Sequence, residues 1–296
     1  MPPIYEIPLE EFPKSLREIP QPPKRLYARG YVDIRNKKVL TVVGPRQHSH
    51  YGADCTRSLI AGLRDLPVVI VSGLAYGIDS IAHEAALDAG LPTIAFPGSG
   101  LGEKVIYPRK HLKLAERILE HGGMLISEFA SYEHALEWMF PQRNRLVAGI
   151  AHAVLIPEAG EKSGTLITAK LTVDYNRDLL VVPGNITSPT SKGANQFLRL
   201  GATPVTCIDD LREALGFERN DEQIIINKID LNLWESNLDA NEKKILTALS
   251  VPKTKDELSR ECDIHSPELN VALSHLELYS LIRNENGIIS PVYTVT

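Results

Sequence analysis

Short segments rich in glycine, serine and arginine recur directly after apolar runs of this sequence. The segments are Gly44-Pro45-Arg46, Ser72-Gly73, Pro97-Gly98-Ser99-Gly100, Glu158-Ala159-Gly160 and Pro183-Gly184. Glycines allow a backbone to approach a ligand closely, and backbone N–H groups at helix starts bind anions. Turn chemistry explains any one of these glycines, but five such segments with arginine among them indicate a phosphate-rich ligand.

Two later segments add candidates for phosphate contacts. In "EKSGTLITAK", Ser163, Gly164 and Thr165 stand at the start of a predicted helix. Their hydroxyl and amide groups suit phosphate oxygens, although capping of the helix is the simpler role for a hydroxyl there. Lys192 and Asn195 stand before a short predicted helix, and a solvated surface charge is the competing interpretation of Lys192.

The segment "FPQRNRLVAG" (140–149) carries two arginines next to an apolar run. Residues two apart on a helix point roughly 200° away from each other, so the two arginines cannot both contact one ligand. We expect Arg143 to face the ligand and Arg145 to hold a neighbouring loop or carboxylate, with Asn144 as a cap or bridge. Trp138 and Phe140 are expected to pack in the core rather than stack on a ligand.

The standard motifs of nucleotide, metal and covalent chemistry are missing. "GSGLGE" has Glu103 where GxGxxG requires glycine, and no GxxxxGK[ST] occurs. The histidines of "HSH" (48–50) have no supporting ligand cluster, so no metal is expected. Asp79 starts a helix and is expected to cap it. Glu128 and Glu158, which end strands, are the only carboxylates that merit a test for catalysis, and an ordinary dinucleotide enzyme or P-loop ATPase is not expected.

The elements that must position these residues are short apolar strands alternating with amphipathic helices. Predicted strands are 39–44, 68–73, 93–100, 124–128, 153–160 and 178–184, and predicted helices are 51–65, 80–90, 109–121, 142–150 and 165–176. This alternation predicts an α/β fold with an extended Rossmann-like, mostly parallel sheet and helices on both faces. In such a sheet the carboxyl ends of the strands lie at one edge, where ligands bind.

Composition shifts divide the chain into four predicted regions. Residues 1–30 are proline-rich and predict an extended lead-in, and residues 31–216 form the Rossmann-like domain. A polar linker is predicted at 217–238. Residues 239–296 contain three short helical patterns and a hairpin with Asn286-Gly287 at its turn, which is typical of a small winged-helix domain.

Charge is distributed unevenly over the 296 residues, whose net charge is −5. Residues 202–296 hold 17 acidic and 9 basic side chains, a balance of −8, so residues 1–201 hold 20 acidic and 23 basic ones, a balance of +3. A polyanion site is therefore expected in the first two-thirds of the chain. No apolar run is long enough to span a membrane, no signal peptide is evident and the three cysteines are scattered, so a cytoplasmic protein is expected.

Taken together and in order, the strand-end segments resemble the DNA-processing protein A (DprA/Smf) family. The matching stretches are "VVG-R", "VSGLAYGIDSIAH", "FPGSGL", "IYP", "SEF", "FPQRNRLVAG", "EAGEKSGTLITA", "VPGNI" and "KGANQFLRLGATPV", within residues 12–215. Two departures stand out. Pro45 replaces the serine of the usual Gly-Ser-Arg, and Tyr76 replaces an arginine common before "GID".

The resemblance implies a non-enzymatic protein without a metal or nucleotide cofactor. It would bind single-stranded DNA through its Rossmann-like domain and dimerise through the same domain. The resemblance further implies protection of incoming DNA during natural transformation, displacement of single-strand-binding protein and loading of a RecA recombinase. The implied DNA contacts are the strand-end residues, with sequence-independent binding by cations and N–H donors. They comprise Gly44, Arg46, Ser72, Gly73, Gly98, Ser99, Gly100, Arg143, Asn144, Arg145, Ser163, Gly164, Thr165, Lys192 and Asn195, with Arg46 the strongest single candidate.

Two other classes of protein compete with this interpretation. The first is a nucleotide-binding or nucleotide-hydrolysing Rossmann enzyme of the LOG phosphoribohydrolase type, whose PGGxGTxxE motif supplies a catalytic glutamate. Here "EAGEKSGTLITAK" ends in Ala169 and Lys170 instead of an acid. The second is a transcription regulator that reads duplex DNA, but the recognition-helix candidate "SPELNVALSHLELYS" has two glutamates and no lysine or arginine. The terminal domain is therefore expected to contact protein or to regulate.

Overall fold

The structure is a computed structural model that describes residues 1–218, 238–249, 251–279, 281–285 and 287–291. The chain divides into two compact units, residues 1–219 and residues 220–296. Of the predicted linker, only residues 217, 218 and 238 fall within the described ranges. Each unit has its own hydrophobic core.

A mixed sheet forms the centre of the first unit. Its strands are β1 (Ile4–Glu6), β2 (Tyr27–Gly30), β3 (Lys38–Val42), β4 (Val68–Ser72), β5 (Thr93–Ala95), β6 (Met124–Ser127), β7 (Ala153–Ile156), β8 (Asp178–Val181) and β9 (Thr203–Pro204). Their order in the sheet is β1-β2-β6-β5-β4-β3-β7-β8-β9. From β6 to β9 every neighbouring pair is parallel, which confirms the predicted sheet.

Helices cover both faces of this sheet, as predicted. They are α1 (Lys14–Arg17), α2 (His50–Ala61), α3 (Ile78–Asp88), α4 (Leu112–Glu120), α5 (Met139–Gly149), α6 (Thr165–Asp174), α7 (Lys192–Arg199) and α8 (Ile208–Ala214). Successive side chains of a strand point to opposite faces of the sheet, so neighbouring residues of one strand pack in different hydrophobic cores. Val39 packs in the core with α1, α5 and α6, whereas its neighbour Leu40 packs with α2 and α3.

The helix that carries the two arginines starts earlier than predicted. Helix α5 begins at Met139 instead of residue 142, so Pro141 lies inside its first turn. Proline is tolerated there because the first N–H groups of a helix have no intrahelical acceptor.

The proline-rich lead-in is part of the sheet. β2 pairs antiparallel with β6, and β1 pairs antiparallel with β2. Leu16 of α1 and Leu26 are both fully buried. Residues 1–30 are therefore not a purely extended segment, because two antiparallel strands and a short helix anchor them to the core.

The order of the strands places a switch point at the centre of the sheet. β3 lies between β4 and β7. The chain after β3 crosses to β4 on one side of it, whereas the chain after β7 continues to β8 on the other side. In open parallel sheets this geometry creates a crevice beyond the carboxyl ends of the central strands. The loops 43–49 and 157–164 flank the crevice here.

The second unit is a small α/β arrangement with helices α9 (Ala240–Ala248), α10 (Lys255–Cys262) and α11 (Ser266–Leu278). Strands β10 (Lys253–Thr254), β11 (Ile282–Glu285) and β12 (Ile288–Pro291) form an antiparallel sheet in the order β10-β12-β11. Three helices followed by a hairpin agree with the predicted elements. Asn286 of the predicted turn lies outside the described residues, and the winged-helix assignment stays a prediction.

Two kinds of feature are absent from the residues that the structure describes. Within the described ranges, no helix is long and apolar enough to cross a membrane. In the same part of the chain, no group of three or more His, Cys, Asp or Glu side chains is placed to hold a metal ion.

Candidate nucleic-acid interface

Arg46 lies on the loop that follows β3, and its side chain is exposed. It forms no ion pair with the residues that the structure describes. Two glycines shape this loop. A side chain on Gly44 would collide with Ile78 of α3, and Gly77, at a φ of +79°, lies against the carbonyl oxygens of Pro45 and Arg46. The loop is thus held closely against the start of α3 while its arginine points outward.

An aromatic pair supports the Arg46 guanidinium. The Arg46 Cζ atom lies 5.5 Å from the ring centroid of Phe140, within the range of a cation–π contact. The Phe140 ring in turn lies 5.4 Å from the ring of Tyr107. Gly98 makes room for Phe140, because a Cβ atom at this position would lie 2.4 Å from the ring. Phe140 is half-buried and holds the cation in place.

A narrow pocket opens beside Arg46, with a volume of about 10 Å³. Its lining includes Arg46, Gly73, Tyr76, Gly98, Tyr107, Phe140 and Arg143. A cavity of this size holds roughly one water and cannot admit a nucleotide.

Arg143, which was expected to face the ligand, is buried beneath this surface and only 6% exposed. Its Nη1 lies 3.8 Å from Oδ2 of the buried Asp79. Burial raises the pKa of the Asp79 carboxyl, while Arg143 and the backbone N–H groups of Gly73 and Ala75 oppose that shift. Asp79 was expected only to cap a helix. In the structure it is the counter-ion of Arg143 and also holds the loop after β4.

The two neighbouring guanidinium groups leave a local excess of positive charge. Burial lowers the pKa of Arg143, Asp79 partly offsets this effect, and the nearby Arg46 lowers the pKa further. Asp79 pairs with Arg143, while Arg46 forms no ion pair with a described residue. Arg143 thus adds positive charge beneath this surface, and Arg46 is the exposed guanidinium of the two.

Arg145 makes its contacts within the protein. It is 8% exposed, its Nη1 donates to the carbonyl of Gln21 at 2.5 Å, and its Nη2 pairs with Glu128. It thus ties the lead-in segment to the end of β6. The two arginines point to different sides of α5. Arg143 lines the narrow pocket beside Arg46, and Arg145 lines a wider groove on the other side of the helix. Asn144 between them is half-buried.

Several predicted contact residues make hydrogen bonds within the protein. Ser72 is fully buried, and its hydroxyl donates to the carbonyl of Val42 at 2.7 Å. Ser99 is also fully buried, and its Oγ accepts from the N–H of Tyr107 at 3.2 Å. The N–H of Gly100 donates to the carbonyl of Glu133 at 2.9 Å, so this glycine does not offer its amide to a ligand. These residues shape the loops.

The start of α6 is more accessible. Gly164 is exposed and has open space around its Cα atom. The Ser163 hydroxyl accepts from the N–H of Thr165 at 3.2 Å and donates to the Thr165 hydroxyl at 2.8 Å. Ser163 is thus engaged with Thr165, which is buried, but the N-cap of α6 is Gly164 and no side chain caps the helix. Gly164 is the accessible position of the three.

Lys192 and Asn195 differ in accessibility. Lys192 is exposed at the start of α7. The amide of Asn195 bonds both backbone groups of Gly184, accepting from its N–H at 3.2 Å and donating to its carbonyl at 3.0 Å. Asn195 thus fixes the loop after β8, and Lys192 is the cation that this loop region presents to solvent.

The crevice at the switch point is filled by a carboxylate of the chain itself. Glu158, 2% exposed, accepts from the N–H and the hydroxyl of Ser49, each at 2.7 Å. Ser49 is the N-cap of α2, where a nucleotide-binding Rossmann fold would place a phosphate. Gly52 allows this approach, since a Cβ atom there would lie 2.5 Å from the carboxylate. Glu158 and the Arg145-paired Glu128 therefore both have structural partners, which argues against their catalytic use.

Sequence reasoning missed two features of this surface. Trp138 is 55% exposed and lies outside the core in which it was expected. Tyr76, at one of the positions that depart from the family pattern, stacks edge-on against His111 with a centroid distance of 4.9 Å. The charged and aromatic neighbours in "EWMF" gave a signal for an exposed tryptophan, but helix phase there depends on a start at residue 139.

The fold and the site define a class: a doubly wound parallel sheet whose switch point is closed to nucleotides and whose edge presents an exposed arginine. Residues 5–216 match the family model of DNA recombination-mediator protein A. The chain belongs to this family, which confirms the resemblance found in the sequence.

Individual relatives agree with this assignment. The DNA processing protein DprA of Streptococcus pneumoniae is 37% identical over 215 residues, which cover 73% of this chain and 75% of the relative. The protein Smf of Escherichia coli is 38% identical over 208 residues, which cover 70% of this chain. The chain spans only 55% of the length of that second relative.

Solved structures show the same fold. The X-ray structure of DprA from Streptococcus pneumoniae has a TM-score of 0.67 at 36% identity, covering 73% of this chain and 75% of that one. A Helicobacter pylori DprA structure, which concerns the single-stranded DNA binding mode of that protein, has a TM-score of 0.65 at 30% identity. It covers 72% of this chain and 95% of that one.

Proposed function

We propose that this chain binds single-stranded DNA along the carboxyl edge of its parallel sheet and acts as a recombination mediator. The observation that carries the proposal is Arg46, an exposed cation seated on Phe140 beside a second, buried guanidinium. Each nucleotide offers a phosphate, and a fixed cation with a positive local field attracts it whatever the base sequence.

The DNA path runs from Arg46 towards the loops after β7 and β8. Gly164 and Lys192 are exposed there, as are Glu161 and Lys162, and Gly164 and Lys192 belong to segments that follow neighbouring strands. Spaced donors along an open edge suit a flexible polyanion better than a compact nucleotide. The Helicobacter pylori relative, whose solved structure concerns single-stranded DNA binding, supports the same ligand class.

The proposed role is non-enzymatic. Glu128 and Glu158, the carboxylates that merited a catalytic test, are both held by internal partners. The chain would protect incoming DNA in natural transformation, displace single-strand-binding protein and load a RecA-type recombinase, and it would act as a homodimer through the first unit. These finer roles rest on membership of the family.

A binding measurement on two matched arginine variants tests the proposal. Arg46→Ala should weaken binding of a fluorescent oligo-dT about tenfold at low salt, because a phosphate contact is lost. The control is Arg64→Ala, since Arg64 is an exposed arginine on the loop between α2 and β4, at the opposite edge of the sheet. Fluorescence anisotropy gives both dissociation constants.

Two comparisons test the proposal: the affinity of the Arg64→Ala control and the affinity for duplex DNA. Arg64→Ala should leave affinity unchanged, and duplex DNA should bind more weakly than oligo-dT. Equal losses in both variants would mean that net charge and not this surface determines binding. A preference for duplex DNA would favour the transcription regulator instead.

A further inference from the structure

A wide groove lies on the side of α5 opposite to Arg46. It has a volume of about 1170 Å³ and is open to solvent. The lining residues that matter here are Lys24, Arg25, Glu128, Trp138, Arg145 and Asp174. Such a volume accommodates a nucleotide, whereas the narrow pocket beside Arg46 does not.

Trp138 is the most unusual side chain in this groove. Its indole is 55% exposed at the residue before α5, although a tryptophan gains by burial of its large apolar surface. It contacts Phe129 edge-on, with centroids 5.7 Å apart and planes at 86°. Phe129 is buried, so this contact holds the indole in place and leaves much of its surface uncovered.

The charges of the groove suit a polyanion. Its two buried charges, Arg145 and Glu128, neutralise each other. At the rim, Lys24 is exposed and makes no ion pair with any described residue, while Arg25 makes only a distant pair with Glu6 at 3.9 Å. Asp174 is the remaining acid of the lining, so the rim carries a net positive charge.

Continuity with the proposed DNA site comes from α5 itself. Phe140 and Arg143 line the pocket beside Arg46, whereas Trp138, Pro141 and Arg145 line the groove. The first turn of α5 is therefore the ridge between the two. A strand that crosses this ridge reaches both sites without entering the protein.

We infer that the groove is a second subsite for the same single-stranded DNA, an inference that rests on the proposed function. Trp138 stacks on one unpaired base, and Lys24 contacts a phosphate beside it. Stacking on an aromatic side chain is independent of sequence because every base has a flat face. The groove thus adds base contacts to a site that otherwise binds backbone phosphates.

Tryptophan fluorescence tests the groove directly. The chain has two tryptophans, so Trp234→Phe makes Trp138 the single reporter. Saturating oligo-dT should quench that emission, because a stacked base quenches indole. The anisotropy of labelled oligo-dT, measured in parallel, reports total binding and so tests the proposed function separately.

Substitutions in the Trp234→Phe protein measure how much the groove contributes to oligo-dT affinity. Trp138→Ala should weaken oligo-dT binding at least about fivefold, whereas Trp138→Phe, which keeps a ring on Phe129, should retain most of the affinity. Lys24→Ala should reduce the slope of log affinity against log salt by about 0.7. Tyr31→Ala removes an aromatic that is 67% exposed and follows β2 at the far edge, and it should change nothing.

The two ideas fail in different ways. Normal binding by anisotropy, with no quenching and no effect of Trp138→Ala, would overturn the subsite and leave the Arg46 surface standing. No binding of oligo-dT by the parent protein would overturn both. Quenching together with a loss in Trp138→Ala and recovery in Trp138→Phe would establish the subsite.

Discussion

At the scale of single residues, the three arginines around the start of α5 differ in burial and in the contacts they make. Arg46 is exposed, while Arg143 and Arg145 are buried and each faces its own carboxylate. Helix spacing was enough to predict that the last two point apart. It could not show that both are buried, because their acids, Asp79 and Glu128, come from distant parts of the sequence.

Arg143→Ala tests the structural role of the buried pair. The substitution leaves the Asp79 carboxylate buried without its counter-ion, so the free energy of unfolding should fall by about 3–5 kcal/mol. Urea unfolding followed by circular dichroism measures this change. Arg46→Ala is the control and should cost at most about 0.5 kcal/mol, since Arg46 is exposed. Equal stability of the two variants would contradict the division of roles.

At the scale of elements, apolar runs predicted the strands of the parallel sheet and glycines predicted the loops at their ends. The lead-in was harder to predict, because β1 and β2 are short and gain stability from pairing with β6. The start of α5 was also missed. Pro141 looks like a boundary in the sequence, yet the structure uses it within the first turn.

A buried histidine joins two of these elements. The Nδ1 of His83 on α3 lies 2.8 Å from the hydroxyl of Thr93 on β5, and that hydroxyl donates to the carbonyl of Ile70. His83 therefore donates from Nδ1, and its Nε2 is buried with no partner among the described residues. Burial lowers the pKa of His83 to about 3, and the nearby charges of His111 and Arg143 act in the same direction.

This histidine predicts a loss of stability in acid. Above pH 6.5 the ring is neutral in both states, and below it the unfolded chain alone takes up the proton until the folded pKa of about 3 is reached. The free energy of unfolding should thus be about 2 kcal/mol lower at pH 5 than at pH 7.5 from this group. Urea titrations of the parent and His83→Gln measure it, and an unchanged pH slope in the variant would contradict the assignment.

At the scale of the whole molecule, charge separates the two units. The acidic excess that begins near residue 202 extends through the second unit, whereas the family match ends at residue 216 within the first. Acidic surfaces repel DNA, so the second unit is expected to contact protein instead. The distribution of charge was readable from the sequence, but the site itself depends on which side chains the fold buries.

Removal of the second unit tests this separation. A chain shortened to residues 1–219 should bind oligo-dT with a dissociation constant within about twofold of the full chain. The first unit has its own core, so folding of the shortened chain is checked by circular dichroism. A large loss of affinity with folding intact would place an essential DNA contact in the second unit.

The salt dependence of oligo-dT binding tests the central claim most directly. For the parent protein, log affinity should fall linearly with log salt concentration, and in Arg46→Ala the slope should be smaller by about 0.7, the value for one phosphate contact on a single strand. Arg64→Ala should keep the parental slope. An Arg46→Ala protein that binds with parental affinity and parental slope would contradict the claim that DNA lies on this edge of the sheet.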